Sequence, residues 1–170
     1  MLRFRISSYL LMAVVALFVS VYDGKAQRVA ISTDVLQWAL ISPNLGFEVA
    51  LSQHHALGFS ASTCPVKVSD RLSVTHLSVS PQYKYWFRMP SYGHYVGADL
   101  MYSSYEIGGS AYAGSGNLLA LRGTYGYSLI LGRRWNLIPN AGLGLGLDWG
   151  DKISILPVIK IGVNIQMVIK

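Results

Sequence analysis

The 170-residue sequence has few charged residues and only one cysteine. Asp, Glu, Lys and Arg make up 13% of the chain, whereas an ordinary soluble domain contains about 25%. The single Cys64 cannot form an internal disulfide, and by itself it cannot build a metal site. The sequence therefore predicts no disulfide framework, no metal site and no cofactor.

A long apolar run is also missing beyond the first 26 residues, although 52% of the residues are hydrophobic. A membrane-spanning helix needs about 20 consecutive apolar residues. A chain that is apolar overall but has no apolar helix has to distribute its apolar residues along β-strands. This combination is unusual for a soluble protein and indicates a β structure with an apolar surface.

The first residues have the three parts of a secretory signal. Arg3 and Arg5 precede an uncharged stretch at 6–22, and small residues stand at Gly24 and Ala26. We predict a signal peptide at 1–26, cleaved before Gln27, and a single barrel domain at 27–170. A membrane-spanning helix is the alternative, but the apolar centre LLMAVVALFV is too short for it.

The charge that remains after cleavage is modest and scattered. It comprises 11 basic and 7 acidic residues, a net charge of +4 against +6 for the whole chain. There is no run of Lys or Arg, so the sequence does not indicate binding to nucleic acid.

Alternation of apolar with small or polar residues dominates the rest of the sequence. It predicts seven clear strands and, at 28–38, an eighth with weaker alternation. The pattern favours an eight-stranded antiparallel up-and-down transmembrane β-barrel, with both termini on the periplasmic side. Short connectors near residues 52, 88 and 132 are expected to face the periplasm, and the longest, at 106–117, to face outward. A further connector is predicted at 64–71. The clear strands are predicted at 44–52, 56–63, 77–87, 94–102, 119–131, 135–149 and 158–170.

The composition of the polar face indicates which side of the strands faces the interior of the barrel. A face in contact with water carries many charges, but here that face is mostly Gly, Ser, Asn, Thr and Ala. Aromatic residues lie on the apolar face near strand ends, where membrane barrels have aromatic girdles. The apolar rows are therefore expected to contact lipid, and a soluble sandwich or a periplasmic lipocalin-like binder is the alternative. The aromatic residues are Tyr83, Tyr85, Phe87, Tyr125, Tyr127, Trp135 and Trp149.

Four acidic and four basic residues lie at alternate strand positions that share the predicted inner face. Opposite charges inside a narrow barrel can offset one another's loss of hydration, so the pattern predicts a charge-paired, closed lumen. The alternative is that these are ordinary solvated surface residues. The predicted lumen network comprises Asp34, Glu48, Lys84, Arg88, Asp99, Arg122, Asp148 and Lys160.

No motif in the sequence carries a clear catalytic pattern. His54 and His55 lie in a predicted turn without a nearby acid or cysteine, which does not favour a metal site. His76 and Ser78 share a face and leave open a lipid-modifying enzyme of the lipid A deacylase or acyltransferase type. Both side chains point to the predicted lumen, however, so no catalytic residue is assigned. Inward glycines such as Gly144 are expected to make room for larger neighbours such as Trp86 or Arg122.

Three segments resemble a known family: PQYKYWF at 81–87, GHYVGADLMY at 93–102 and YGYSLILGRRWNL at 125–137. They are similar to the Bacteroidota family catalogued as domain of unknown function 3575. STDVLQW at 32–38 and PNLGFEVAL at 43–51 extend the resemblance over nearly the whole predicted mature chain. Gln82 departs from the family's pattern, in which Glu is common.

The resemblance implies a small exported barrel, sometimes encoded near fimbrial genes, with no established activity. Together with the residue pattern, it leads us to expect a non-enzymatic barrel in the bacterial outer membrane. Its outward loops are expected to make envelope or cell-surface contacts. The expected partners are outer-membrane lipid and a surface or fimbrial protein.

Overall fold

The structure, a computed structural model, describes residues 28–69, 72–109, 114–149 and 153–169. Eight strands form one closed barrel in which each strand is antiparallel to the next and β1 pairs with β8. The predicted eight-stranded antiparallel barrel is therefore confirmed. The strands are β1 (Val29–Asp34), β2 (Asn44–Ala50), β3 (His55–Ser69), β4 (Leu72–Trp86), β5 (Gly93–Gly109), β6 (Gly114–Ile130), β7 (Trp135–Trp149) and β8 (Ile153–Val168), and one short helix, α1 (Val35–Ala39), follows β1.

Side chains alternate between the lumen and the outer surface along each strand. In β6, Arg122 and Thr124 are buried while Leu121 and Tyr125 are exposed. The alternation follows from the two-residue period of a β-strand. The small and polar rows lie inside and the apolar rows lie outside, which is the direction that the sequence predicts.

The first strand is shorter than the sequence pattern predicts. β1 ends at Asp34 rather than continuing to residue 38, and α1 begins immediately afterwards. The Asp34 side chain accepts a hydrogen bond from the Leu36 backbone N–H at 3.0 Å. Asp is a favourable N-cap because its carboxylate satisfies a backbone donor in the first turn of a helix. The cap explains why the weak alternation at 35–38 does not continue the strand.

The predicted outward loop at 106–117 is largely strand. β5 continues to Gly109 and β6 begins at Gly114, with Glu106 paired to Ser115. The connector predicted at 64–71 is likewise mostly the end of β3. Glycine and serine are typical of turns, but pairing with a neighbouring strand satisfies the same backbone groups. These loop predictions are wrong, and the strands on that side are longer than expected.

The barrel has two different ends. At the turn end, short connectors at 51–54, 87–92 and 131–134 join the strands, and β1 begins and β8 finishes. α1 lies at the opposite end, which we call the loop end, where β3, β5 and β7 finish and β4, β6 and β8 begin. The wall is low at β1 and β2, which have 6 and 7 residues, and tall at β5 and β6, which have 17 each. Residues 1–26 lie outside the described part of the chain, so the signal peptide remains a prediction.

No helix in the described ranges combines the length and the apolar character needed to cross a bilayer.

Gly144 packs against the backbone of β6. A Cβ atom placed there would lie 2.7 Å from the Arg122 Cα and equally close to its Cγ. Gly144→Ala is therefore expected to destabilise the barrel by about 1–3 kcal/mol, because the backbone of β6 has to move. Urea titration of the folded protein in detergent micelles, with the folded fraction read from a gel, measures this change.

Gly123→Ala is the matched control, since its Cβ would meet only the Leu143 carbonyl oxygen at 3.9 Å. Equal stability of the two variants would show that inner-face glycines are not needed for space.

Candidate functional site in the barrel interior

Asp99 on β5 is the centre of the interior charge cluster. It is 3% exposed. Its carboxylate accepts hydrogen bonds from Arg122 Nε at 2.7 Å, Lys160 Nζ at 3.0 Å, Ser80 Oγ at 3.1 Å and Thr124 Oγ1 at 3.2 Å. These partners lie on β4, β6 and β8, so one carboxylate links four of the eight strands. Charge-assisted hydrogen bonds of this kind are about twice as strong as neutral ones.

A second ion pair lies beside this cluster. Lys84 Nζ on β4 donates to Glu48 Oε2 on β2 at 2.6 Å. The same ammonium group lies 5.1 Å from the centroid of the Tyr95 ring, within the range of a cation–π interaction. Glu48 is 4% exposed, and its other oxygen, Oε1, has no hydrogen-bond partner among the described residues.

An apolar plug fills the lumen between these charges and the turn end. The Trp86 and Tyr95 rings pack with their centroids 4.7 Å apart, and Ile138 and Ala56 complete the cluster. All four are almost fully buried. Gly126 provides space for Tyr95, because a Cβ atom there would lie 2.7 Å from the Cζ of the ring. The plug places bulky apolar side chains in the lumen between the ion pairs and the turn end.

The connector at 87–92 folds across the mouth of the barrel below the plug. The Ser91 carbonyl oxygen accepts hydrogen bonds from Ser128 Oγ at 2.8 Å and from Asn136 Nδ2 at 3.0 Å. Ser91 is buried and has a left-handed backbone with a φ of 66°, as the tight inward turn requires. Two further strands, β6 and β7, thereby hold this connector in place.

A polar cavity of about 90 Å³ lies on the loop side of the ion pairs. It extends from Lys84 and Arg122 to Gln37 of α1, beside the low wall formed by β1 and β2. Its lining is rich in serine, at Ser32, Ser60, Ser62, Ser78 and Ser80. The lumen is thus a blind polar chamber with a charged floor.

Hydrogen bonds within the protein occupy most of the charged groups at the floor of the cavity, and Glu48 Oε1 is left without a partner among the described residues. Both oxygens of Asp99 are occupied by several donors, and the Lys84 ammonium group is paired with Glu48. A nucleophile or general base needs a free lone pair within reach of a substrate. Within the described ranges, no three His, Cys, Asp or Glu side chains come together as a metal site requires.

Residues 9–162 match the family described as Protein of unknown function (DUF3575). The match spans most of the chain. The chain belongs to the DUF3575 family. Among curated proteins, none matches it.

The barrel of this DUF3575 member is similar in fold to a protein of known structure. The crystal structure of Neisserial surface protein A (NspA) aligns with a TM-score of 0.54 and 12% sequence identity, covering 83% of this chain and 94% of the other. At this identity the similarity concerns the fold alone.

The structure places six of the eight predicted lumen residues at the cavity or its floor. Glu48 pairs with Lys84, and Asp99 pairs with both Arg122 and Lys160. Asp34 is also buried, but it caps α1 and accepts a hydrogen bond from the Val163 backbone N–H at 3.2 Å instead of forming an ion pair.

The other two predicted residues lie away from this cluster. Asp148 accepts hydrogen bonds from the Tyr105 hydroxyl near the loop end. Arg88 lies outside the lumen, because β4 ends at Trp86 and the chain turns there. Its guanidinium is exposed and lies 5.8 Å from the Tyr92 ring centroid. The deep interior therefore holds three acids and three bases instead of four of each.

Gln82 stands at the position where Glu is common in the family, and it replaces that charge with a neutral amide. Its side-chain amide donates to Ser60 Oγ at 2.9 Å. The position is therefore satisfied by a neutral hydrogen bond, and the ion pairs on either side of it remain intact.

The histidines and Ser78 do not assemble into a catalytic pair. Ser78 Oγ is hydrogen-bonded to Ser62 Oγ at 2.7 Å, and His76 Nε2 lies 3.5 Å from Ser42 Oγ. His54 contacts the Trp86 carbonyl oxygen, and His55 contacts the Tyr83 hydroxyl.

Sequence reasoning missed Tyr95 and the inward-folded connector. Strand parity could have identified Tyr95, since it shares the inner face with Gly97 and Asp99 in β5. No local pattern could have placed Ser91 beneath the lumen, because its contacts with Ser128 and Asn136 span 37 and 45 residues of sequence.

Proposed function

We propose that this protein is a non-enzymatic barrel of the bacterial outer membrane with a closed lumen. Its loop end, in this proposal, makes envelope or cell-surface contacts. The observation that carries the membrane location is the exposure of the outward apolar rows: Leu143 is 71% exposed, Ile155 72% and Ile153 81%. A soluble protein rarely exposes a continuous apolar surface of this kind, whereas lipid tails would cover it.

Aromatic residues at the two ends of the outer face support this location. Tyr and Trp are enriched at the two interfaces between membrane and water. At the loop end, Tyr102 and Trp149 lie with their ring centroids 6.4 Å apart. The turn end carries a larger group: Tyr83, Tyr85, Phe87, Tyr125, Tyr127 and Trp135.

The interior supports a closed, non-enzymatic barrel. The plug lies between the polar cavity and the turn end, and hydrogen bonds within the protein occupy Asp99 and Lys84 beneath the cavity. A lipid-modifying enzyme would need its nucleophile and base at the lipid edge. Ser78 and His76 face the lumen side of β4 instead, and their nearest polar partners are other serines.

Membrane fractionation with gel electrophoresis tests this proposal. The protein is expected to pellet with outer membranes and to migrate faster on a gel when unheated than after boiling, as folded barrels do. Recovery in the periplasmic supernatant would contradict the membrane location. A gene-dependent change in the acyl chains of lipid A, lost on Ser78→Ala or His76→Ala, would contradict the non-enzymatic assignment.

Leu143→Arg tests the face of the barrel that meets lipid. Leu143 lies near the middle of β7, between Trp135 and Trp149. An arginine at the midplane of the bilayer is expected to cost about 2–4 kcal/mol. Folding into phospholipid vesicles at increasing urea, followed by the heat-dependent gel shift, measures the loss.

Ile153→Arg serves as the depth control for Leu143→Arg. Ile153 pairs with Trp149 at the loop end. An arginine near the interface is expected to reduce the stability of the barrel by only about 0–1 kcal/mol. An arginine tolerated equally well at both positions would show that the outer face is not embedded in lipid.

A further inference from the structure

The turn end of the barrel carries an excess of positive charge. Arg28, Arg88, Arg133 and Arg134 all have exposed side chains there. The segments around them, at 28–31, 49–57, 85–96, 127–138 and 163–169, contain no Asp or Glu. None of the three ion pairs found among the described residues includes these arginines. Their charge therefore has no counter-charge from this part of the protein. We call these four arginines the basic rim.

The basic rim lies directly next to exposed apolar side chains. Arg28 Nη1 lies 3.2 Å from Met89 Sδ, and the Arg88 guanidinium lies over the Tyr92 ring. Arg134 immediately precedes Trp135, which is 49% exposed. Arginine stems commonly lie along apolar surface and extend the charged group to the interface. The rim thus lies where the apolar outer face ends.

This arrangement matches the head group of a phospholipid. A guanidinium presents paired N–H donors in the geometry of two phosphate oxygens, and the neighbouring aromatic and aliphatic side chains can contact the start of the acyl chains. Soluble anions would use the arginines but not the exposed Phe87, Leu131 and Trp135 beside them. In phosphatidylcholine the head group's own quaternary ammonium lies beside the phosphate, whereas phosphatidylglycerol has no cationic group that competes with arginine.

We infer that the basic rim binds the phosphate groups of anionic phospholipids at the turn-end leaflet. This inference rests on the proposed membrane location and adds a lipid class to it. Basic residues near an anionic membrane surface each contribute to binding, so the loss of two arginines is expected to weaken binding on the order of tenfold or more.

Lipid titration of the purified full-length protein in zwitterionic detergent tests the inference. Native mass spectrometry counts bound diheptanoyl-phosphatidylglycerol and diheptanoyl-phosphatidylcholine, with the first expected to bind more tightly. Arg133→Gln/Arg134→Gln should remove most of this preference. The matched control, Arg71→Gln/Lys152→Gln, makes the same change in net charge at residues that do not belong to the basic rim and should retain the preference.

Each of the other possible results would contradict a specific part of the inference. An equal loss in both double variants would show that net charge, and not the basic rim, selects the lipid. Displacement of phosphatidylglycerol by the same concentration of inorganic phosphate would show a general anion site. A folded barrel, recognised by its heat-dependent migration, that shows no lipid preference would contradict this inference alone. Failure to fold in detergent would contradict the proposed function as well.

Discussion

Asp99→Asn is expected to destabilise the folded barrel by about 3–5 kcal/mol, because it leaves buried basic groups without their counter-charge. Asp99 is the shared partner of Arg122 and Lys160, and all three lie inside the lumen. The neutral amide can replace some hydrogen bonds but cannot balance two cations. Urea-dependent unfolding in micelles, followed by the heat-dependent gel shift and by tryptophan fluorescence, measures the loss.

Asp148→Asn is the control for this prediction. Asp148 is an interior-facing acid near the loop end, and the Tyr105 hydroxyl, which donates a hydrogen bond to it, is neutral and can also donate to an amide oxygen. We expect a loss of about 1 kcal/mol, the net value of an ordinary hydrogen bond. If the two Asn variants unfold at the same urea concentration, the cluster around Asp99 does not hold the barrel together. Lys160→Met combined with Asp99→Asn should recover part of the stability, since it removes one of the unbalanced cations.

Removal of the aromatic plug is expected to change both stability and conductance. Trp86→Ala deletes a side chain that is fully buried against Tyr95 and Ile138, which should cost about 3–5 kcal/mol. The double variant Trp86→Ala/Tyr95→Ala joins the polar cavity to the turn end. In planar bilayers we expect little conductance from the original protein and discrete openings from the double variant.

Trp135→Ala separates an effect of the plug from a general effect of losing tryptophan. Trp135 lies on the outer face of β7 and is half exposed, so its removal should leave the lumen closed. Large and stable conductance of the unsubstituted protein would contradict the closed lumen. Silence of the double variant in its folded form would show that the connector at 87–92 closes the barrel without the plug.

The strands and their orientation could be predicted because they depend on local chemistry. Leu143, Leu145 and Leu147 alternate with glycine and aspartate in β7, and only one side of such a strand can face lipid. The alternation of outward apolar and inward small or polar side chains is seen along β6 and β7. The prediction from local sequence is wrong at residues 35–38, where the Asp34 cap favours a helix over continued strand pairing. It is also wrong at 106–117, where strands pair although the composition is typical of a turn.

The interior site could be predicted only in part. The odd or even position of a residue in a strand (its parity) specifies the face on which its side chain lies, but it specifies no distances between side chains. It placed Glu48, Lys84, Asp99, Arg122 and Lys160 on one face. It could not show that a single carboxylate, Asp99, serves both Arg122 and Lys160, whose strands are separated along the chain. Parity also placed Arg88 inside, since it cannot detect that β4 ends two residues earlier.

Eight amphipathic strands, with small and charged residues on one face and apolar residues on the other, follow from the order of the residues alone, because side-chain alternation is a property of each strand. Closure of the barrel decided the rest. It brought β8 beside β1, aligned the interior charges at bonding distance, and folded the connector at 87–92 beneath Trp86. These contacts join residues far apart in the chain, and such distances become defined only when the strands have a common register and the lumen has a fixed width.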